Sequence, residues 1–162
     1  MIKIGYGKDS HAFDFNDKEK KLILGGVEFP NQPALAGNSD ADVVLHAITN
    51  AISGVTCKNI LGPRADALCL EQGITDSRVY LEEALKDAQE ADIILQHISI
   101  SIECKFPKIT PMLTPLRESL SQLLGLPQNA IGITATTGEG LTPFGQGLGI
   151  ECEVVVTACA KD

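Results

Sequence analysis

Residues 39–54 read SDADVVLHAITNAISG, and this stretch decides how the rest of the chain is organised. Its apolar residues recur three and four positions apart, which is the spacing of one face of an α-helix. They are Val43, Ala47, Ile48, Ala51 and Ile52. Ser39 and Asp42 form an S-x-x-D pattern, which predicts Ser39 as the N-cap and Asp42 as the third helical residue. We therefore expect a helix here that packs against a sheet.

The segments on either side of this helix alternate between strand and helix patterns. Strands are predicted at residues 1–6, 21–29, 93–104, 130–135 and 150–158, with a Gly-Tyr-Gly turn after the first and a tight bend at the paired glycines of the second. Helices are predicted at residues 77–91 and 111–125. Gly, Pro and charge are spread evenly, so we expect one domain, residues 1–162. The fold class is α/β, an α+β sandwich: mostly one mixed sheet with three main helices on one side.

Charge and composition exclude several classes of partner. The 162 residues include 13 Lys and Arg against 21 Asp and Glu, a net charge of −8, which argues against binding nucleic acid or an anionic membrane. The apolar runs are short and the first residues resemble neither a secretory signal nor a transit segment, so we expect a soluble, cytoplasmic protein. The five cysteines are scattered without pair spacing, which predicts reduced core thiols.

Three side chains have the spacing of metal ligands. Asp9 and His11 are two residues apart in an extended segment and can point to the same side. His46 lies near the start of the predicted helix, one turn after Asp42. The alternative is that D-x-H arises by chance and that the helical histidine is simply packed. Asp42 has a structural role at the helix start in either case, so we leave it out of the metal shell, and we interpret His97 as structural.

A second candidate site lies in residues 133–150, ITATTGEGLTPFGQGLGI. Thr136, Thr137 and Glu139 follow a predicted strand, and the glycines after them allow close approach of a ligand. Hydroxyls, free amides and a carboxylate suit phosphate with a divalent cation. A dinucleotide fingerprint is rejected, because these glycines lead into a strand and not a helix. They could equally mark a hairpin, and the basic cluster at residues 105–108 could hold a phosphate or turn the chain.

Taken together, the motifs resemble those of a known family. In order they are DSH at 9–11, ILGGV at 23–27, NSDADVVLHA at 38–47, DSR at 76–78, PK at 107–108, ATTGEG at 135–140 and FGQGLGI at 144–150. This chain resembles the 2-C-methyl-D-erythritol 2,4-cyclodiphosphate synthases of the non-mevalonate isoprenoid pathway, over nearly its whole length. The resemblance implies a phosphorus-oxygen lyase that cyclises 4-diphosphocytidyl-2-C-methyl-D-erythritol 2-phosphate and releases CMP. It also implies a homotrimer with active sites between adjacent subunits.

The resemblance further implies the roles of individual residues. Asp9, His11 and His46 would hold a zinc-like ion, Glu139 would hold a second divalent ion, Mg or Mn, and Thr137 and Asn38 would be catalytic. The residues implied to bind substrate are Asp9, Ser10, His11, Asn38, Ser39, Gly62, Cys104, Lys105, Phe106, Pro107, Lys108, Ile109, Thr136, Thr137, Gly138 and Glu139. Of these, the stretch 104–109 would line the cytidine pocket, partly through main-chain groups.

Two departures from the family pattern bear on this interpretation. Asn38 stands where a histidine usually precedes Ser39, and it can donate a hydrogen bond but carries no charge. The usual acidic and aromatic loop after the first helix is absent, and Gly62, Arg64 and Asp66 are its conjectural substitutes. Two alternatives therefore stay open: a metal-dependent phosphohydrolase of a nucleotide-linked substrate, and a non-catalytic trimeric binder of isoprenoid phosphates.

Overall fold

The computed structural model describes residues 1–160. The strands are β1 (Ile2–Asp14), β2 (Leu22–Leu24), β3 (Val27–Phe29), β4 (Ala34–Leu35), β5 (Ile93–Glu103), β6 (Ile131–Thr136) and β7 (Gly149–Ala160). The α-helices are α1 (Val43–Thr56), α2 (Pro63–Asp66), α3 (Ser77–Glu90) and α4 (Leu113–Leu124), and a π-helical turn, Ala67–Glu71, follows α2. Short 3-10 turns span Thr110–Met112, Gln128–Ala130 and Gly138–Gly140. All the predicted helices and strands are present, whereas β4 and α2 are too short to carry a sequence pattern.

Five strands form one mixed sheet in the order β4-β1-β7-β5-β6. All neighbours are antiparallel except β5 and β6, which are parallel. β2 and β3 form a separate antiparallel hairpin. The long helices pack on the sheet, α1 on β1 and β7, α3 on β5 and α4 on β6. The predicted mixed sheet with helices on one side is confirmed.

The core lies between the helices and one face of the sheet. Alternate residues of β7 are fully buried on that face: Ile150, Cys152, Val154, Val156 and Ala158. The opposite face carries no helix in the described residues, and large apolar side chains are exposed on it. They are Ile2, Ile4 and Tyr6 of β1 and Val155 of β7. One face of the sheet is thus covered within the chain, and the other is open.

The start of α1 differs from the prediction. The N-cap is Asp42 and not Ser39, because the Asp42 carboxylate accepts the Leu45 amide at 3.0 Å. The same carboxylate accepts the amides of Gly25 at 2.8 Å and Gly26 at 2.7 Å, which ties the β2–β3 turn to the helix. Complete burial raises the pKa of Asp42 to about 6, although these amide hydrogen bonds oppose the shift. The structural role expected for Asp42 is confirmed, with a different cap position.

β1 also differs from its prediction, since it continues well past residue 6. It pairs with β7 from Ile2 opposite Cys159 to Ala12 opposite Gly149, and no turn interrupts it. Gly5 and Gly7 lie inside the strand, where a Cβ atom would overlap the backbone of α1. These glycines therefore allow close packing of a helix rather than a turn.

The cysteines are free, as expected, but only some are core residues. Cys104 and Cys152 are buried, whereas Cys57 and Cys159 are exposed and Cys69 is half-buried. Burial raises the pKa of Cys104 to about 11, so its thiol is protonated at neutral pH. No helix in the described part of the chain is long and apolar enough to cross a membrane.

Candidate metal centre and ligand cavities

Asp9, His11 and His46 converge in the structure. Asp9 and His11 point to the helix-covered side of β1, and His46 stands in the first turn of α1, which packs on that strand. The ligand atoms are close to one another: His11 Nε2 lies 3.0 Å from Asp9 Oδ2, His46 Nδ1 lies 3.2 Å from the same oxygen, and the two nitrogens are 3.3 Å apart. Side chains separated by 35 residues thus meet at one point.

The second nitrogen of each histidine ring has its own partner. His11 Nδ1 donates to the carbonyl oxygen of Ala36 at 2.8 Å, because a carbonyl only accepts. His46 Nε2 lies 2.8 Å from Ser77 Oγ, the first residue of α3. Partners of this kind orient histidine ligands and fix their tautomers in metal sites.

The electrostatics of the cluster favour a negative carboxylate between the rings. Burial opposes ionisation of Asp9, but hydrogen bonds to His11 and His46 outweigh it and lower the pKa of the carboxyl. Burial also opposes protonation of His11, yet the Asp9 carboxylate raises the pKa of that imidazole. A cation bound beside Asp9 would take the place of the proton that the carboxylate favours on the His11 ring.

The three ligand atoms fit a zinc-like ion. Zinc binds nitrogen and oxygen at about 2.0–2.2 Å, and a tetrahedral arrangement then separates neighbouring ligand atoms by about 3.3 Å. The observed separations of 3.0, 3.2 and 3.3 Å need little adjustment. Two imidazoles and one carboxylate leave a fourth position for a substrate oxygen, the pattern of catalytic zinc sites.

A cavity of about 200 Å³ adjoins His46. Its lining combines predicted and unpredicted residues: Asn38, Ser39, His46, Leu61, Gly62, Ala65, Asp66, Cys69 and Tyr80. Arg64 is not among them. Its guanidinium binds Glu83 Oε2 at 2.6 Å and Asp87 Oδ2 at 2.9 Å on α3. Gly62 and Asp66 thus line the cavity beside His46, whereas Arg64 holds α2 against α3.

A second cavity, of about 340 Å³, lies at the ends of β5 and β6. It is lined by Cys104, Lys105, Pro107, Lys108, Ile109, Thr110, Pro111, Ala135, Thr136 and Thr137. The peptide bond between Phe106 and Pro107 is cis. This cavity brings together the basic cluster and the threonines that were singled out separately in the sequence.

The turn that follows β6 carries the remaining predicted residues. Gly138, Glu139 and Gly140 all have positive φ, at 61°, 54° and 70°, and Glu139 is exposed. Hydrogen bonds of Glu103 and Thr142 close this turn: the Thr142 hydroxyl donates to Glu103 Oε1 and accepts the Gly145 amide at 3.0 Å. We call this pair the Glu103–Thr142 buckle. It fixes Thr137 and Glu139 relative to the end of β5.

The metal cluster and the second cavity are separated within one chain. Asp9 pairs with Cys152, Cys152 pairs with Ile102, and Ile102 pairs with Ala135. Three strand spacings, about 14 Å in total, therefore lie between the strand that carries the cluster and the strand that ends at Thr136. The two sets of residues lie at the same end of the sheet but do not form one pocket.

Four predicted residues lie outside the metal cluster and both cavities, namely Ser10, Phe106 and, on the turn after β6, Gly138 and Glu139, and two contributing residues were not predicted. Ser10 points to the opposite face of β1 from Asp9 and His11. The ring of Phe106 stacks on Phe13 with centroids 4.8 Å apart and lies outside the lining of the second cavity. Sequence reasoning missed Ser77 as the partner of His46 and Asp40 as the partner of Ser77. The DSR motif at 76–78 was the available signal, but its spacing does not reveal what Ser77 contacts.

Residues 2–159 match the model of the YgbB family. The chain belongs to that family. Two curated relatives are named 2-C-methyl-D-erythritol 2,4-cyclodiphosphate synthase, one from Chlamydia trachomatis serovar L2b and one from Chlamydia caviae. Each is 48% identical to this chain over 97% of its residues, and the matched regions span 88% and 89% of the relatives' own lengths.

Solved structures of other members have the same fold. A synthase of that name in a CDP-bound form is 30% identical, with a TM-score of 0.80 over 97% of this chain and all of its own. The bifunctional IspDF from Campylobacter jejuni is 26% identical, with a TM-score of 0.90 over the whole of this chain. This chain spans 43% of that bifunctional protein.

Proposed function

We propose that this chain is a metal-dependent 2-C-methyl-D-erythritol 2,4-cyclodiphosphate synthase, a phosphorus-oxygen lyase. Its substrate is 4-diphosphocytidyl-2-C-methyl-D-erythritol 2-phosphate, and its products are the cyclic diphosphate and CMP. The observation that carries the proposal is the convergence of Asp9, His11 and His46 beside a cavity, in a member of this family. The names of the curated relatives support the same activity.

The reaction requires positioning more than acid–base chemistry. An oxygen of the 2-phosphate attacks the β-phosphorus of the same molecule, a new P–O bond closes the ring, and the electron pair of the broken P–O bond leaves with CMP. The nucleophile is already anionic, so no strong general base is needed. A divalent ion bound by the three side chains would neutralise charge on the diphosphate oxygens, which suits an acidic protein that acts on a polyanion.

We assign the other roles to residues of the two cavities and of the turn after β6. Thr136 and Thr137 donate hydroxyl hydrogen bonds to the diphosphate, and Asn38 donates amide hydrogen bonds in place of the usual histidine. Glu139, exposed on its turn, offers a carboxylate to a second ion, Mg or Mn. The stretch 104–109 binds the cytidine end in the second cavity.

We also propose that three copies of the chain assemble and complete each other's sites. Two observations support this arrangement: the open face of the sheet exposes Ile2, Ile4 and Tyr6, and the metal cluster is about three strand spacings from the second cavity. A neighbour that covers the open face could bring its second cavity to the metal cluster. Light scattering should give a trimer, and a stable monomer that turns over substrate would contradict the arrangement.

The free cysteines support a reducing compartment, the cytoplasm.

Phosphorus NMR of metal-loaded protein with the cytidine-diphosphate substrate tests the activity. We expect the cyclic diphosphate and CMP in equal amounts, with no oxygen from labelled water in the product. Incorporation of that oxygen would identify a phosphohydrolase, and full metal occupancy without turnover would identify a binding protein.

His46→Ala tests the ligand assignment, and a second histidine provides its control. It should remove one equivalent of bound metal and nearly all turnover, since one of three ligands is lost. His97→Ala is the control, because His97 is exposed on β5 and lies outside the cluster. Unchanged metal content in His46→Ala would contradict the ligand assignment.

A further inference from the structure

We propose that Asp40 and Ser77 form a positioning relay that sets the proton of the His46 ring and thereby aims its Nδ1 lone pair at the metal centre. The inference deepens the proposed function and rests on it. Ser77 contacts only the outer nitrogen of His46, and neither Asp40 nor Ser77 lines the cavity beside that ring, so both are positioning residues. They act through His46.

The direction of each proton in the relay follows from the groups involved. Both Asp40 carboxylate oxygens serve as acceptors, and the Ser77 hydroxyl donates to Asp40 Oδ1. With its proton committed, Ser77 Oγ offers a lone pair to His46 Nε2, 2.8 Å away. Nε2 then carries the ring proton, and Nδ1 is left with a free lone pair. That nitrogen is the one 3.2 Å from Asp9 Oδ2.

Asp40 is held in place by three further hydrogen bonds. Its Oδ2 accepts the Ser77 amide at 3.1 Å, and its Oδ1 accepts the Asp42 amide at 3.1 Å. Its own amide donates to the carbonyl of Thr75 at 2.8 Å. Ser77 is fully buried and His46 is 7% exposed, so water does not compete for the contact between them, and the half-buried Asp40 is held by its own hydrogen bonds. The relay is therefore fixed in place, which lets it decide the tautomer.

The two histidines of the cluster are controlled in different ways. His11 donates to a backbone carbonyl, which accepts in every variant of the sequence. His46 depends on a serine hydroxyl, which can donate or accept according to its other partner. Asp40 removes that ambiguity, and this makes His46 the ligand that a side-chain substitution can misdirect.

Capping of α3 does not account for the contact between the Ser77 hydroxyl and His46. Asp76 is the N-cap of that helix and accepts the Arg78 amide at 3.0 Å. Asp76 also binds the Arg78 guanidinium and is not a partner of His46. The same aspartate-to-asparagine change at Asp76 therefore provides a control at the same helix terminus.

The test compares Asp40→Asn and Ser77→Ala with Asp76→Asn. In Asp40→Asn an amide N–H can donate to Ser77 Oγ, which frees the hydroxyl to donate to His46 Nε2 and moves the ring proton to Nδ1. Zinc affinity is measured by competition with a chromogenic chelator, and the His46 tautomer by nitrogen-15 NMR of the zinc-free protein. We expect zinc affinity to fall about 10- to 100-fold in both relay variants and to change less than about threefold in the control.

The outcomes separate the relay from the proposed activity. Relay variants that bind zinc within about threefold of the unmodified protein and keep the proton on Nε2 would overturn the inference. Ser77→Ala removes only a hydroxyl, so it serves as the test if Asp40→Asn does not fold. A protein that binds zinc but forms no cyclic product would refute the proposed activity, while the tautomer measurement still decides the relay.

Discussion

Gly7 of β1 lies directly against the carbonyl group of Ala47 in α1, so closely that a Cβ atom on Gly7 would overlap that oxygen. The helix backbone therefore rests on the strand backbone with no side chain between them. Asp9 is two residues from Gly7, and His46 is next to Ala47. The packing of these two residues sets the distance between the ligands contributed by the strand and the helix.

Gly7→Ala should separate α1 from β1. The added methyl group meets backbone atoms of Ala47 and Ala51, which cannot rotate away. We expect the free energy of unfolding to fall by roughly 2 kcal/mol or more and the bound metal to decrease, measured by urea unfolding and metal analysis. Gly132→Ala is the control, because its Cβ would meet only the Ile98 carbonyl oxygen at 3.7 Å. Equal stability of the two variants would contradict this account.

Arg64→Ala should affect stability and leave catalysis alone. The guanidinium is engaged with Glu83 and Asp87 and does not line the cavity beside His46. We expect a loss of roughly 1 kcal/mol in unfolding, since the arginine is partly exposed and solvent screens the pairs. The Michaelis constant and turnover should stay within about twofold. A tenfold rise in the Michaelis constant would instead indicate a charge-assisted hydrogen bond to substrate.

The pH dependence of stability should reveal the buried carboxyl of Asp42. Burial raises its pKa to about 6 in the folded protein, above the ordinary value near 4 in the unfolded chain. The folded state therefore keeps the proton to higher pH, and the associated stability is present below about pH 4 and lost as the pH rises through about 6.

Asp42→Asn cannot ionise and isolates this effect from the other titrating groups. Between pH 4 and 7.5, the unmodified protein should lose roughly 3 kcal/mol of unfolding free energy relative to the variant, by urea unfolding at each pH. Asparagine also supplies fewer acceptors for the amides of Gly25, Gly26 and Leu45, which lowers the variant's stability by a nearly constant amount. Parallel curves for the two proteins would show that Asp42 keeps an ordinary pKa.

The Glu103–Thr142 buckle should matter for nucleotide binding. Glu103→Ala removes the acceptor of the Thr142 hydroxyl and loosens the turn that carries Thr137. We expect CDP to bind about 5- to 10-fold more weakly by calorimetry, the effect of roughly 1 kcal/mol of lost hydrogen bonding. Glu103→Gln keeps an acceptor oxygen and should bind nearly as the unmodified protein does. Unaltered CDP affinity in Glu103→Ala would remove the buckle from the binding site.

Sequence patterns predicted the elements whose signals are local. The apolar spacing within residues 43–52 identified α1, and period-two alternation identified β5, since each pattern reports which face of its own element is buried. The start of α1 was misplaced because Ser39 and Asp42 both satisfy a local capping rule. Only the nearby turn at Gly25 and Gly26 makes Asp42 the better cap, and that turn lies outside the local window.

The residues of the candidate site also divide into those predicted from local spacing and those brought together by tertiary contacts. In an extended segment the D-x-H spacing puts Asp9 and His11 on one side, so the sequence by itself predicted that half of the candidate metal site. Tertiary structure decided the rest: that β1 continues through Asp9, that Gly7 admits α1, and that Ser77 reaches His46. Each of these depends on contacts between residues more than 30 positions apart, and spacing along the chain carries no information about such distances.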